Sequence, residues 1–286
     1  AGAVSEDNNF SESGLAINGT VLVDGSNDPV AGVLMTVTGT TVSGATISVT
    51  AHTLANGTYS VTNLPLGDYT ITETQPLGYA QGIVEPDNVI SVTLAPVTGA
   101  AVDNDFSEAL ATVSGKVFVD GSLAPMEGVL ITLSGTDVTG HTITPLFVMT
   151  EPDGTYVITG MLAGDYVITE SQPVGYAQGA VEPDGVILVT LLAGDSVTGQ
   201  DFSEAAATIS GAVYVDGSNV PVAGVPISLD GVDANGEPVS IPIVTDAIGR
   251  YSFPGLLAGT HTTTQTRPVG YAQGAVEPDN SIPAIT

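Results

Sequence analysis

The sequence predicts an all-β fold of three tandem seven-stranded, immunoglobulin-like β-sandwich domains arranged as an elongated rod. Three observations predict it. First, the 286-residue chain repeats itself: Phe-Ser-Glu recurs at Phe10, Phe106 and Phe202, Val-Asp-Gly-Ser at Val23, Val119 and Val215, and Gly-Tyr-Ala-Gln-Gly at Gly78, Gly175 and Gly270. Each set steps by 95 to 97 residues, enough for every unit to bury a core of its own. Second, Thr, Val, Gly and Pro are abundant, no helix-type run occurs, and turn signals recur about every 8–12 residues, as in sandwiches. Third, the links Ala109-Leu110-Ala111 and Ala205-Ala206-Ala207 are short and not Gly/Ser-rich, which favours stiff end-to-end joints. The period divides the chain into an N-terminal arm (residues 1–13), repeats at 14–109 and 110–205, and a third repeat at 206–286 that is read as lacking its last strand.

The second unit shows the elements most cleanly. Ala111 to Asp120 alternates apolar and polar residues and runs into Asp-Gly, a strand followed by a turn. Gly128 to Leu133 is a second strand. Thr142 to Thr150 is a third, broken by Pro145 and therefore placed at a sheet edge. Glu-Pro-Asp-Gly at 151–154 is a turn, followed by strands from Thr155 to Thr159 and from Asp165 to Glu170 with Leu162-Ala163-Gly164 between them. Gln172 to Asp184 is a loop. Val186 to Leu192 is a continuous apolar run, read as a central strand. Val197 to Glu204 closes the unit, with Phe202 as its one large apolar side chain.

Composition removes several classes of function. Three basic residues, Lys116, Arg250 and Arg267, stand against 31 acidic ones, a net charge of −28. Nucleic acid and anionic lipid are poor partners for such a chain, and no run reaches the roughly 18 apolar residues of a membrane span. Cys is absent, so no disulfide or thiolate chemistry is available. His52, His141 and His261 have neither a His nor a Cys nearby, which argues against zinc. There is no nucleophile elbow and no phosphate loop leading into a helix. The chain reads as no enzyme.

The stretch SGKVFVDGS…EGVLITLSGTD…EPDGTYVITGMLAGDYVITESQPVGYAQG resembles the B-type repeat domains of bacterial surface adhesins, the serine-aspartate-repeat (SdrD B-like) and collagen-adhesin (Cna B-like) domains. The marks are the strand at Gly128, Asp-Gly-Thr-Tyr at Asp153, Leu-x-x-Gly-Asp-Tyr at Leu162, and Ile-Thr-Glu-x-Gln-Pro-x-Gly-Tyr at Ile168. The resemblance covers all three units and implies a prealbumin-like sandwich, an extracellular or cell-surface location and a stalk role.

It also implies two features that can be followed residue by residue. One is an internal Lys–Asn/Asp isopeptide bond assisted by a Glu. The Glu position matches Glu73 and Glu170 but is Gln265 in the third unit, and the lysine position fails: Thr20 and Ala212 stand where the second unit has Lys116. Lys116 then reads as a surface lysine, and Glu73 and Glu170 as polar strand ends. The other is calcium, held near the loop after the first strand. Asp24, Asp28, Asp120 and Asp216 belong to that loop, and Glu85, Asp87, Glu182 and Asp184 to the recurrent Glu-Pro-Asp loop. Calcium wants six to eight oxygens, more than either loop supplies alone, so the competing reading is turn chemistry.

The third unit departs from the others. Asp-Tyr-Val-Ile-Thr-Glu becomes Thr260-His-Thr-Thr-Thr-Gln265, and an open sheet edge is expected to be an association site. If a second copy followed Thr286, its Phe10 would fall within two residues of the position that the repeat spacing gives. The expected function is therefore self-assembly into a head-to-tail extracellular filament. The arm donates a strand through Val4, Asn9, Phe10 and Ser11, and the third unit accepts it through Val276, Ile282 and Ile285. The alternatives are a stretch of a longer covalent adhesin stalk, or a module binding carbohydrate or a host protein.

Overall fold

Alternation of side chains sets the first strand of each unit with one face on a core. In the computed structural model, which describes residues 14–96, 99–277 and 279–286, strand β1 (Leu15–Val23) buries Ile17, Gly19, Val21 and Val23 and turns the residues between them outward. Seven more strands complete the first unit: β2 (Leu34–Thr41), β3 (Thr46–His52), β4 (Thr58–Leu64), β5 (Gly67–Glu73), β6 (Ala80–Gln81), β7 (Val89–Leu94) and β8 (Phe106–Ala109). They form two four-stranded sheets, β4-β1-β8-β6 and β3-β2-β5-β7. One apolar cluster joins both sheets, with Ile17, Val21, Tyr59 and Phe106 from the first and Met35, Val37, Tyr69 and Ile71 from the second.

The second unit repeats this plan with β9 (Ala111–Val119), β10 (Leu130–Asp137), β11 (Leu146–Met149), β12 (Thr155–Met161), β13 (Gly164–Glu170), β14 (Ala177–Gln178), β15 (Val186–Leu191), β16 (Ser196–Val197) and β17 (Phe202–Ala205). Its sheets are β12-β9-β17-β14, with β16 also on β9, and β11-β10-β13-β15. Two expectations need correction. The Val186 run is an edge strand, not a central one: Ile187, Val189 and Leu191 are buried while Leu188 is 77 % exposed. The segment from Val197 to Glu204 is two short strands, β16 and β17, both parallel to β9. The Pro145 strand does lie at an edge, and only its part after the proline pairs, as β11.

The third unit contains β18 (Ala207–Ala212), β19 (Tyr214–Val215), β20 (Val220–Pro221), β21 (Pro226–Asp233), β22 (Pro238–Val244), β23 (Arg250–Leu256), β24 (Gly259–Gln265) and β25 (Ser281–Ile285). The sheet β22-β21-β24-β25 is whole, but the opposite sheet is reduced to the pairs β18-β23 and β19-β20. Among the described residues, its core holds six buried apolar side chains, against 14 in the first unit and 15 in the second.

Side-chain chemistry accounts for part of this difference. His261 sits where Tyr69 and Tyr166 sit, and its Nε2 lies 3.3 Å from Leu257 O, in place of the tyrosine hydroxyls that donate to Pro65 O and Leu162 O. Thr263 replaces Ile71 and Ile168, and its buried hydroxyl has no hydrogen-bond partner among the described residues. An unpartnered buried hydroxyl costs roughly 1–3 kcal/mol. Thr263→Val is therefore expected to stabilise the third unit by about 1 kcal/mol, seen as a higher Tm of that unit in calorimetry.

A single residue, Leu110, separates β8 from β9, and Ala206 separates β17 from β18. The joints are reinforced in the same way each time. Gly78 O accepts a hydrogen bond from Ala163 N of the second unit (3.0 Å), and Gly175 O accepts one from Ala258 N of the third (2.7 Å).

Candidate strand-binding groove

The last strand of the first unit shows how a Phe-Ser-Glu segment is held. β8 runs parallel to β1, with Phe106 opposite Val21, Ser107 opposite Leu22 and Glu108 opposite Val23. Asp24 N donates to Glu108 O (2.9 Å) and Gly82 N to Ser107 O (2.8 Å). Val84 N donates to Ser107 Oγ (2.9 Å), Thr20 N to Asp105 Oδ1 (2.7 Å), and the Tyr59 hydroxyl to Asn104 O (2.6 Å). Gly19 is required here, because a Cβ would collide with the Asn104 carbonyl.

The second unit repeats each contact. Asp120 N donates to Glu204 O and Gly179 N to Ser203 O (both 2.8 Å). Val181 N donates to Ser203 Oγ, Lys116 N to Asp201 Oδ1 and the Tyr156 hydroxyl to Gln200 O. Phe106 and Phe202 are fully buried. Deleting such a phenyl ring costs about 3–5 kcal/mol.

The strand brings a carboxyl into the core. Glu108 is buried, and so is Glu73 at the end of β5; the Gln75 amide donates to Glu108 Oε2. Both oxygens of Glu73 and Oε1 of Glu108 have no donor among the described residues. Two bare carboxylates cannot share such a place, and one proton held between them resolves the conflict. Burial, followed by the charge of its partner, pushes Glu73 up to about 9, and burial raises Glu108 to about 7. Glu170, Glu204 and Gln172 form the same constellation in the second unit, again with both carboxyls raised by burial. Glu73 and Glu170 are thus more than polar strand ends: their oxygens are buried, and each is paired with a second carboxyl.

In the third unit this place is an open groove of about 330 Å³. Ala212, Tyr251, Gln265, Arg267, Gly274 and Ile282 are among the residues lining it. The backbone N–H groups of Asp216, Gly274 and Val276 correspond to the strand-holding donors of the other units, yet have no acceptor among the described residues. The Tyr251 hydroxyl likewise has no counterpart of Asn104 O or Gln200 O. Two positions change identity: Gln265 stands at the place of Glu73 and Glu170, and Arg267 at the place of Gln75 and Gln172.

Of the residues expected to accept a strand, Val276 and Ile282 line the groove, whereas Ile285 is 87 % exposed and pairs with Thr260 at the edge of the other sheet. Val4, Asn9, Phe10 and Ser11 lie outside the described residues. The candidate calcium ligands do not assemble. The carboxylates of Asp24, Asp120 and Asp216 accept from Ile83 N, Ala180 N and Ala275 N, tying the loop after Gly-Tyr-Ala-Gln-Gly to the first strand. Glu85 and Glu182 occupy left-handed turn positions, with φ of 50° and 49°. Asp87 and Asp184 accept from Val89 N and Val186 N within their own turns, and Asp28 is an exposed loop residue. No three carboxylate or imidazole groups converge on a metal position among the described residues. These residues therefore do not fit a calcium ion.

Lys116 is exposed, with Nζ 5.3 Å from the centre of the Phe118 ring, so it does not reach the carboxyl pair as an isopeptide lysine would. Glu108, Glu204 and Arg267 were not singled out by the sequence reading. The signal lay in the third letter of Phe-Ser-Glu, and in the paired change from Glu-x-Gln to Gln-x-Arg.

Residues 22–95 match the SpaA prealbumin-like fold domain; the second unit repeats the strand order of the first, and the third repeats it in one sheet. No curated protein sequence matches the chain. Among solved structures, the chain is similar to a streptococcal ancillary pilin, at 16 % identity and a TM-score of 0.45, covering 96 % of this chain and 95 % of that one. It is also similar to the Bacillus anthracis TIE protein, at 17 % identity and a TM-score of 0.43, covering 90 % of this chain and 46 % of that one, so it spans under half of that protein's length. A third similarity is to BcpA, the major pilin subunit of Bacillus cereus, at 12 % identity and a TM-score of 0.30, covering 96 % and 95 %. At these TM-scores the likenesses carry no functional argument.

Proposed function

We propose that the protein is a structural subunit of an extracellular filament, joined head to tail when residues 1–13 of one copy enter the third-unit groove of the next. The observation that carries this reading is the groove itself. It presents the same backbone donors in the same places as the filled sites of the first two units, and the chain contains one more Phe-Ser-Glu segment, at residues 10–12, than those two units use. Strand addition supplies backbone hydrogen bonds for affinity and alternate side chains for register. A contact of this kind is heterologous, and when it does not close into a ring it grows into a fibre. The surface location follows from the resemblance to adhesin repeats.

The one-residue links between units favour a second reading, in which the same units continue covalently as a stalk. Electron microscopy combined with denaturing intact-mass measurement on the native material separates the two. Filaments that fall apart into discrete single chains under denaturation support strand donation; rods that remain one covalent array of many units exclude it. Removing residues 1–13 is expected to leave only unassembled chains, and filaments from that truncation would contradict the proposal.

A further inference from the structure

We propose that Gln265 and Arg267 form a receptor for an ionised carboxylate in the third-unit groove, and that its ligand is the Glu12 side chain of a second copy. This rests on the strand-donation reading and adds the chemistry of the joint. In the first two units the glutamate of Phe-Ser-Glu meets a glutamate and a glutamine, Glu73 with Gln75 and Glu170 with Gln172. Among the described residues that constellation has no cation, and a shared proton relieves the conflict between its carboxyls. In the groove, the glutamate position is Gln265 and the glutamine position is Arg267, and both residues line the cavity.

An incoming strand in the register of β8 and β17 sets Phe10 where Phe106 and Phe202 lie, and Glu12 where Glu108 and Glu204 lie. Glu12 then meets an amide that can donate and a guanidinium whose fork matches a carboxylate. No shared proton is needed. The chain has three basic residues against 31 acidic ones, and one of the three lies where the glutamate of an incoming Phe-Ser-Glu segment would come to rest. The third unit therefore discriminates among strands. It favours a Phe-Ser-Glu segment bearing a charged carboxylate, whereas the first two units are built around their own strand and a proton.

The test is a double-mutant cycle in the full chain, reading chain association by sedimentation at two salt concentrations, with circular dichroism confirming that each variant is folded. Glu12→Gln and Arg267→Gln are each expected to weaken association about tenfold or more and to flatten its salt dependence. The double variant is expected to be no weaker than either single one. Arg267→Gln restores the glutamine found in the other two units, which makes misfolding a poor explanation for its effect. Phe10→Ala serves as the control on the underlying reading. If Phe10→Ala abolishes association while Glu12→Gln and Arg267→Gln are inert or strictly additive, strand donation stands and the receptor proposal is overturned. If Phe10→Ala leaves association intact, both fall.

Discussion

Phe10→Ala is expected to leave a folded chain that no longer associates end to end. The equivalent rings, Phe106 and Phe202, are fully buried between the two sheets of their units. Truncating a buried phenylalanine removes about 3–5 kcal/mol, which for an association is a loss of roughly two to four decades in affinity. The same substitution has a different consequence at each copy. Phe106→Ala and Phe202→Ala draw their cost from the folding of the first and second units and are expected to lower the Tm of those units. Phe10→Ala draws it from the contact between chains and is expected to leave thermal unfolding of a dilute, unassembled sample unchanged. Light scattering and calorimetry on the three variants distinguish the patterns. Equal losses of Tm at all three positions would mean that Phe10 packs within its own chain.

Raising the pH from about 5 to about 10 is expected to destabilise the first and second units. The Glu73–Glu108 and Glu170–Glu204 pairs are buried, and their pKa values are raised above the ordinary carboxyl range by that burial. Asp24 and Asp120 add repulsion, while Gln75 and Gln172 partly offset it by donating hydrogen bonds. A group whose folded pKa lies above its unfolded value holds its proton more tightly in the native state. Its contribution is whole below the unfolded pKa, near 4, and is lost as the pH climbs through the folded one. The window therefore runs from weak acid to about pH 9 in the first unit and about pH 8 in the second. Each retained proton is worth at most about 1.4 kcal/mol per pH unit across it, less the screening by solvent that reaches these side chains, so a clear fall in the stability of each of the two domains is expected. Glu73→Gln together with Glu170→Gln, which copies Gln265 of the third unit, is expected to flatten the profile. Thermal unfolding at pH 5, 7 and 9 checks this, and a Tm that rises toward pH 9 would contradict it.

How much of this could be read from the sequence depended on the range of the interaction. The strand β9 was legible because Val113 and Val117 alternate with Thr112, Ser114 and Lys116, and the edge position of β11 was legible because Pro145 cannot donate to a ladder. β15 was misplaced because Val186 to Leu191 is apolar on both faces, a pattern shared by a central strand and by an edge strand that leaves Leu188 exposed. The carboxyl pairs were hidden for a different reason. Glu73 and Glu108 belong to opposite sheets and meet only when the sandwich closes, so each on its own looks like the polar end of a strand. Arg267 was noticed as scarce but not as placed. Its meaning depends on Glu108 lying against Gln75, which no local pattern records.

The parallel pairing of β1 with β8 has a mechanical consequence. Val23 lies opposite Glu108, so the strand by which the chain enters the first unit and the strand by which it leaves run side by side in one direction. Tension applied through the chain draws Leu15 and Ala109 toward opposite ends of that ladder, and its hydrogen bonds are loaded together in shear instead of being peeled one at a time. β9 and β17 repeat the arrangement. A strand seated in the third-unit groove in the same register would carry load the same way, so that a non-covalent joint would meet pulling forces with the geometry of the folded units beside it.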